Sequence, residues 1–507
     1  MFRRLLYAIR RGLVKIGLLD SLEKITDRKE IPSNEEMFKW IDKWKRLYAG
    51  YLSDIHDVTY FTIKEGRKTR RLMSMQMPKT VAEEMASLVF NEKCEISIDN
   101  EWLREFIEDV FQKSKFYRKF QDYLEYMFAH GGMVIKPYVE EGQIMLSFVT
   151  ADCFIPISWR NDTIHEAVFP YEFQKGDKKY THLEWHLWET AKDENGEQVK
   201  VYVIRNEVYE SQNGQDLGIK VPLKDFFPEL EEEVRINGLK KPLFSYFKPN
   251  KANNIDLQSP LGISIFANAL DTIKAIDTAF DSFHREFRLG RKRIMVPAHF
   301  VKTVVDPETG RTYRYFDDTD EAYEAFDHGN MDDNEIKDIS TELRVEEHIG
   351  AINALLNVFA MQTGFSMGTF SFDGRSMKTA TEVVSEQSKT FKSKKSHEII
   401  IEAGLQELID SIVALAELYG MIDAPEEYEV TVSFDDSIVE DKGTEIKHQS
   451  QMVAAGLQSR KRAIMKIHGC TEEEAMEILR EIIDEERMRS PDLDELRAQA
   501  ALFGELE

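Results

Sequence analysis

The chain has 507 residues, 42% of them apolar and 11% aromatic. That is too rich for a disordered protein and too long for one ordinary core, so about three units of roughly 100–200 residues are expected. Lys plus Arg number 66 against 91 Asp plus Glu, a formal charge of −25, which argues against tight binding of nucleic acid because phosphates need cations.

Cys94, Cys153 and Cys470 lie far apart, make no disulfide framework or zinc ribbon, and fit a reducing cytoplasm. No stretch reaches the 18 or more apolar residues that span a bilayer. In the first twenty residues, Leu5, Leu6, Ile9, Leu13 and Ile16 make one helical stripe. Arg3, Arg4, Arg10, Arg11 and Lys15 against Asp20 give this stretch a charge of +4. Arg10, Arg11 and Lys15 interrupt the apolar run and no small-residue cleavage site follows, so a cleaved leader is not expected. A basic amphipathic helix of this kind lies on a membrane or packs as an arm on a neighbouring subunit or domain.

Residues 36–60 read as a helix with Trp40, Trp44 and Tyr48 as core or interface anchors. Thr80 and Glu83 have the spacing of a capping box, opening a helix through Phe90 with Val81, Met85, Leu88 and Val89 inward. A further helix, rich in Phe and Tyr, is expected at about 100–128. From 131 to 248 the period becomes two, with Glu141-Gly142 as a hairpin turn and strands over 164–172, 179–190 and 199–211. This region reads as an antiparallel sheet with one solvated face. Within it, His182-Leu-Glu-Trp-His186 resembles a helical zinc motif only loosely, since the metalloprotease pattern puts Glu directly after the first His. As a strand, the segment is expected to turn Tyr180, His182, Glu184 and His186 toward solvent.

Ser259-Pro260 reads as an N-cap with proline at the first helical position, opening a helix to about Gly290. Some 30 residues would make a rod of about 45 Å. Phe266, Ala269, Leu270, Ile273, Ile276, Phe280, Phe283 and Phe287 form its apolar stripe, and Asp271, Lys274, Asp277 and Asp281 its opposite, charged face. A hairpin over 301–316 follows, turning at Asp306–Gly310. Between Asp317 and Asp338, ten acids against Lys337 give −9, a solvated insert or a docking face for a basic partner. Residues 344–363 form a shorter helix, and Gly364–Lys378 is a loop with three glycines and three phenylalanines. A second capping box at Thr379 and Glu382 opens a helix that reaches Gly420, about 60 Å if straight, with a break near 392–396. Residues 428–434 are a strand, and 435–507 are helical and acid-rich.

The order of long helix, small β insert, helix, glycine-rich loop and very long helix resembles the portal proteins of tailed double-stranded-DNA bacteriophages, in the siphophage branch of Gram-positive hosts. The stretches SPLGISIFANALDTIKAIDTAFDSF, SMKTATEVVSEQSKTF and GLQSRKRAIMKIHGCTEEEAMEILREI carry the resemblance, with MPKTVAEEMASLVFNEKCEI nearer the N-terminus. It implies a mainly helical α+β portal fold of wing, stem, clip and crown, assembled as a ring of about twelve subunits around a central channel. By position, 1–60 would be an amphipathic arm and helix, 61–255 the wing, 256–293 a stem helix, 294–343 the clip and 344–363 the second stem helix. Residues 364–378 would be the tunnel loop, 379–434 the long wing helix and strand, and 435–507 the crown. Gly364, Gly368 and Gly374 would give the tunnel loop mobility, and Arg375 and Lys378 would touch DNA in the channel or merely flank the next helix. Asp317, Asp318, Asp320, Glu321, Asp332 and Asp333 would form the partner-docking face of the clip.

The resemblance implies a non-enzymatic DNA conduit, without metal or cofactor, in the virion at one capsid vertex and assembled in the host cytoplasm. Its partners would be other copies of itself, the terminase large subunit, a head-completion adaptor, scaffold and major capsid protein, and the double-stranded DNA that passes through. Consistent with this, no Gly-rich loop ends in Gly-Lys-Ser/Thr. Two other readings are a metal-dependent hydrolase using His182, Glu184 and His186, and a peripheral membrane protein held by residues 1–19.

Overall fold

The computed structural model describes residues 31, 35–62, 66–91, 94–192, 198–211, 216–289, 342–372, 380–425, 427–434 and 442–468. It also describes short pieces at 294–295, 302–305, 307, 309–310, 312–315, 337–338, 475–476 and 478–482. The chain divides into two compact units, residues 1–377 with 392–433, and residues 378–391 with 434–507.

In the first unit, helix α1 (Glu35–Tyr48) buries Met37, Ile41, Trp44 and Leu47 at helical spacing. It ends twelve residues earlier than its periodicity suggests, because Gly50 takes φ +85° and the chain reverses. After a helical turn at Ser53–His56, the β-branched and aromatic run becomes strand β1 (Asp57–Thr62), paired with β2 (Gly66–Arg71). Helix α2 (Met77–Val89) starts three residues before Thr80. Pro78 fits its first turn, and the Thr80 hydroxyl donates to the Gln76 carbonyl at 3.4 Å, so Thr80 is no cap. Strand β3 (Glu95–Ile98) leads to α3 (Glu101–Ser114), capped by Asn100, whose side-chain oxygen accepts from the Leu103 amide at 3.0 Å. Lys115 at φ +54° then breaks the expected single helix, and α4 (Phe116–His130) begins at once. The break lets Phe111 and Phe116 stack at 4.1 Å, with Phe120 a further 4.8 Å along and Phe90 edge-on to it.

Strands β4 (Met133–Glu140) and β5 (Gln143–Thr150) turn on Glu141 and Gly142, both at positive φ, as the hairpin signal indicates. Strands β6 (Ile155–Arg160), β7 (Thr163–Lys175), β8 (Lys178–Lys192) and β9 (Gln198–Glu210) follow as an antiparallel meander. Strands β10 (Ile219–Val221) and β11 (Glu233–Asn237) both pair with β9, while β12 (Ser245–Phe247) joins β4 and β5 in a separate three-stranded sheet. Both faces of β8 are covered. Leu183 and Trp185 lie in a cluster with Ile31, Ile155, Val168 and Tyr209. On the other face, Phe227 lies 4.9 Å from the His182 ring and Phe244 5.8 Å from His186. His182 and His186 are therefore buried, at 7% and 2% exposure, rather than turned to solvent, because residues 222–247 fold back over their face.

Residues 259–269 form no α-helix, contrary to the N-cap signal. The Ile265 amide and the Ser264 hydroxyl instead donate to the Phe128 carbonyl at 2.8 and 3.3 Å, tying this buried stretch to the end of α4. Helix α5 (Leu270–Leu289) thus has 20 residues and is about 30 Å long. Beyond it, β13 (Ile294–Met295), β14 (Lys302–Val305), β15 (Thr312–Tyr315) and β16 (Lys337–Asp338) form two small ladders, β13 with β16 and β14 with β15. Helix α6 (Val345–Thr363) follows, then α7 (Ala380–Leu418), and β17 (Val430–Ser433) pairs with β3. α7 runs unbroken through 392–396, where Lys394 and Glu398, almost wholly buried, pair at 2.6 Å one turn apart. Gly404 lets α7 lie on the Phe247 ring, since a Cβ there would come within 2.5 Å of it.

In the second unit, α8 (Lys442–Ala454) ends at Gly456 in the left-handed region, and α9 (Arg460–His468) follows, with the Ser459 hydroxyl accepting from the Arg462 amide at 3.3 Å.

Candidate functional site

Helices α5 and α6 pack against each other. Phe283 touches Phe287 at 5.0 Å, His348 at 5.7 Å and Phe372 at 5.5 Å, and Phe280 reaches Phe372 at 6.2 Å. At one end of the pair, Arg344 donates through Nε and Nη2 to both oxygens of Glu286, at 3.0 and 2.9 Å. This fork holds the Glu286 carboxyl down at about 2.

The charged face expected on α5 is only partly in water. Asp271 and Lys274 are exposed, but Asp277 and Asp281 are 1% and 4% exposed. Asp277 accepts from His56 Nε2 at 3.0 Å and from the Met75 amide at 2.8 Å. On its other side, His56 Nδ1 lies 2.8 Å from the Leu52 amide, which donates to it, and 3.1 Å from the Leu52 carbonyl. Asp281 takes a two-pronged contact from Arg70, at 2.7 and 2.6 Å, and the Met73 amide at 3.3 Å. The Arg70 guanidinium lowers the Asp281 carboxyl, whereas burial raises that of Asp277. Two acids that looked like a solvated face are thus anchors for residues 56–75. Charge spacing alone does not reveal them, since their partners are about 200 positions away.

The loop after α6 is held at three points. Gly364, at φ +94°, ends the helix, and the Phe365 amide donates back to the Ala360 carbonyl at 2.8 Å. Asn357 Oδ1 accepts from the Gly368 amide at 2.7 Å, and Asn353 Oδ1 from the Phe372 amide at 2.8 Å. Asn353 and Asn357 are one helical turn apart, so both face the same strip of loop. Phe365 is fully buried and packs on Phe370 at 5.2 Å, which also meets Phe359 at 6.0 Å. Gly364 and Gly368 both sit at positive φ, in turns that these hydrogen bonds close. The signal that could have exposed this clasp is the Asn pair at i and i+4 just before a glycine-rich loop.

Lys251 ties the same neighbourhood together. Its ammonium donates to the Ile265 carbonyl at 2.7 Å and to the Gln362 carbonyl at 3.3 Å, at the negative end of α6. Next to it, the Asn250 amide donates to His397 Nδ1 on α7 at 3.0 Å, and burial drives the His397 pKa down to about 3. Gly374, Arg375 and Lys378, the other tunnel-loop positions, lie outside the described residues. So do Asp317, Asp318, Asp320, Glu321, Asp332 and Asp333, the basic N-terminal stripe and Thr379 of the second capping box.

His182, Glu184 and His186 have protein partners. His182 Nε2 meets Asn206 Oδ1 at 3.0 Å. His186 Nδ1 meets the Tyr202 hydroxyl at 2.7 Å and its Nε2 meets Glu184 at 2.8 Å, while Lys136 closes on the other Glu184 oxygen at 2.5 Å. Burial works to raise the Glu184 carboxyl, but Lys136 and His186 outweigh it and hold it well below the usual range. Burial lowers both histidines. The cluster borders a groove of about 1140 Å³ with Tyr138, Phe148 and Tyr419. Among the described residues, no three His, Cys, Asp or Glu side chains gather as a metal-binding group, and the hydrolase reading has no support. No described helix is long and apolar enough to cross a membrane.

The region is built of two paired helices, a clasped glycine-rich loop and a very long following helix. A family model described as phage portal protein, SPP1 Gp6-like, matches residues 27–488, and the chain belongs to that family. It is a structural portal protein of a phage, a head–tail connector and a component of the virion capsid. A search of curated proteins finds no match. Among solved structures, the chain is similar to one described as "Neck of empty GTA particle computed with C6 symmetry", at 8% identity and a TM-score of 0.39, over 77% of this chain and 88% of that one.

Proposed function

We propose that about twelve copies of the chain close into a ring at one capsid vertex, forming the channel through which double-stranded DNA is packaged and ejected. In this reading 61–255 and 379–434 form the wing, 256–293 and 344–363 the stem, 294–343 the clip, 364–378 the tunnel loop and 435–507 the crown. The clip docks the terminase large subunit and later the head-completion adaptor, and the periphery meets scaffold and major capsid protein. The chain has no catalytic role of its own, and assembly takes place in the host cytoplasm. The observation that carries the reading is the family match over residues 27–488.

The charge fits a conduit. About twelve copies at −25 each give a ring of about −300, and a wall of that sign lets DNA slide because each phosphate–cation contact adds affinity. Arg375 and Lys378, repeated around the tunnel, would touch phosphates transiently. Native mass spectrometry of the purified chain tests the proposal. A closed ring of fixed subunit number is expected, and a particle that stays monomeric or dimeric at every concentration overturns it.

A further inference from the structure

The β1–β2 ribbon lies almost wholly in water. No third strand pairs with it among the described residues, and isolated two-stranded ribbons are marginal by themselves. Its register sets Phe61 across from Arg67 on one face and Tyr60 across from Lys68 on the other. Phe61 is 77% exposed and Tyr60 41%, and Arg67 and Lys68 are exposed as well. The base, by contrast, is fixed. His56 and Arg70 engage Asp277 and Asp281 of α5, the Leu72 amide donates to the His56 carbonyl at 2.7 Å, and Arg71 donates to the Gly50 carbonyl at 2.6 Å. A fixed base under a ribbon that offers Phe61 and Arg67 side by side on one face makes an arm shaped to enter a partner.

The chain itself carries a surface with an exposed aromatic pair and an exposed carboxylate, Glu105, beside it. On the exposed side of α3, Trp102, 50% exposed, stacks with Phe106 at 6.3 Å and 16°. Glu101 and Glu105 flank them in water, and a cleft of about 340 Å³ beside them is lined by Arg104, Glu105, Glu108 and Asp109; Arg104 pairs with Glu101 at 3.8 Å and Lys113 with Asp109 at 2.6 Å, while Glu105 stands exposed beside the aromatic pair. We propose that the ribbon docks on α3 of a second copy of this chain, with Phe61 against Trp102 and Phe106, and Arg67 toward Glu105. Aromatic area to be buried favours a protein surface, because a nucleic-acid backbone would engage the cations and leave Phe61 wet. Two different surfaces of one chain meeting in this way make a heterologous contact, the kind that closes into rings. The inference rests on the ring reading and names the surfaces that would join neighbours.

The test uses full-length chains. In native mass spectrometry, Phe61→Ala with Arg67→Glu lowers the ring fraction about tenfold or more at fixed concentration, the scale of loss from a central aromatic anchor. Adding Glu105→Arg to the Arg67→Glu chain restores part of it. Unchanged circular dichroism excludes misfolding. Rings as abundant as wild type overturn the docking and leave the ring intact, and so does loss of DNA retention with assembly unchanged. A second arm does not need rings. Chains carrying Phe61→Cys are mixed with chains carrying Trp102→Cys under oxidation, with wild type as the control for the native cysteines. A heterodimer specific to the mixed pair supports the contact even if wild type forms no ring. Its absence overturns the contact in either case.

Discussion

His56 and Asp277 are 221 positions apart in sequence, yet their side chains meet at 3.0 Å, each 1% exposed. The contact joins the start of the β1–β2 ribbon to the middle of α5. His56→Ala leaves a buried carboxylate with one fewer donor and should cost about 3 kcal/mol, measured by urea unfolding at pH 7. Hydrogen exchange should rise first in residues 57–71. A cost under about 0.5 kcal/mol would mean that water replaces the imidazole.

Arg70 and Asp281 give a second anchor one turn further along α5. Arg70→Ala should cost about 2 kcal/mol, less than a sealed pair would, because the guanidinium is 27% exposed. A double-mutant cycle with Asp281→Asn measures the coupling directly. Since Arg70 lowers the Asp281 carboxyl, the stabilisation is full above the ordinary carboxylate range and fades as pH falls through the lowered folded value.

His130 is 5% exposed, and neither ring nitrogen has a hydrogen-bond partner. It stacks on Tyr126 at 6.0 Å and lies edge-on to Tyr48 at 5.5 Å, and burial pulls its pKa from 6.5 to about 4. The unfolded chain takes up this proton near 6.5 and the folded one only near 4, so stability falls as pH drops between those values and is flat above them. The loss from this residue is roughly 3 kcal/mol. His130→Phe keeps the ring contacts and should flatten that part of the melting profile without lowering stability at pH 7.

Asn353 and Asn357 hold the loop against α6. Each change to Ala should cost about 1 kcal/mol and speed exchange of the Phe372 or Gly368 amide, respectively, by about fivefold, read by hydrogen exchange. If exchange there is unchanged, the loop is held by its phenylalanines instead. Gly364 allows a separate test. Gly364→Ala forces a Cβ at φ +94° to within 2.5 Å of the Ser393 hydroxyl and should cost about 2 kcal/mol in thermal unfolding.

Periodicity located most elements and failed at their ends, for reasons visible in particular residues. The strands of 131–248, the hairpin at Glu141-Gly142, and α6 and α7 were legible because pattern and turn chemistry agree there. The breaks at Gln76 and Lys115 were not, since neither residue type advertises a left-handed backbone. The stretch 259–269 carries a good helix-start signal, but its donors are spent on Phe128. The site was less legible than the fold. Loop glycines were visible as a group, whereas the Asn clasp and the buried Asp277 and Asp281 depend on partners brought in from elsewhere in the chain.

Glu286 and Arg344 are 58 positions apart and bonded at both carboxylate oxygens. Together with the β13–β16 ladder, this fork ties the end of α5 to the start of α6. Because closing a loop costs little more as the loop lengthens, the chain between them can grow, shrink or change its charges while the helix pair is undisturbed. Changes of length or charge between the two helices are therefore decoupled from the packing of the helices themselves.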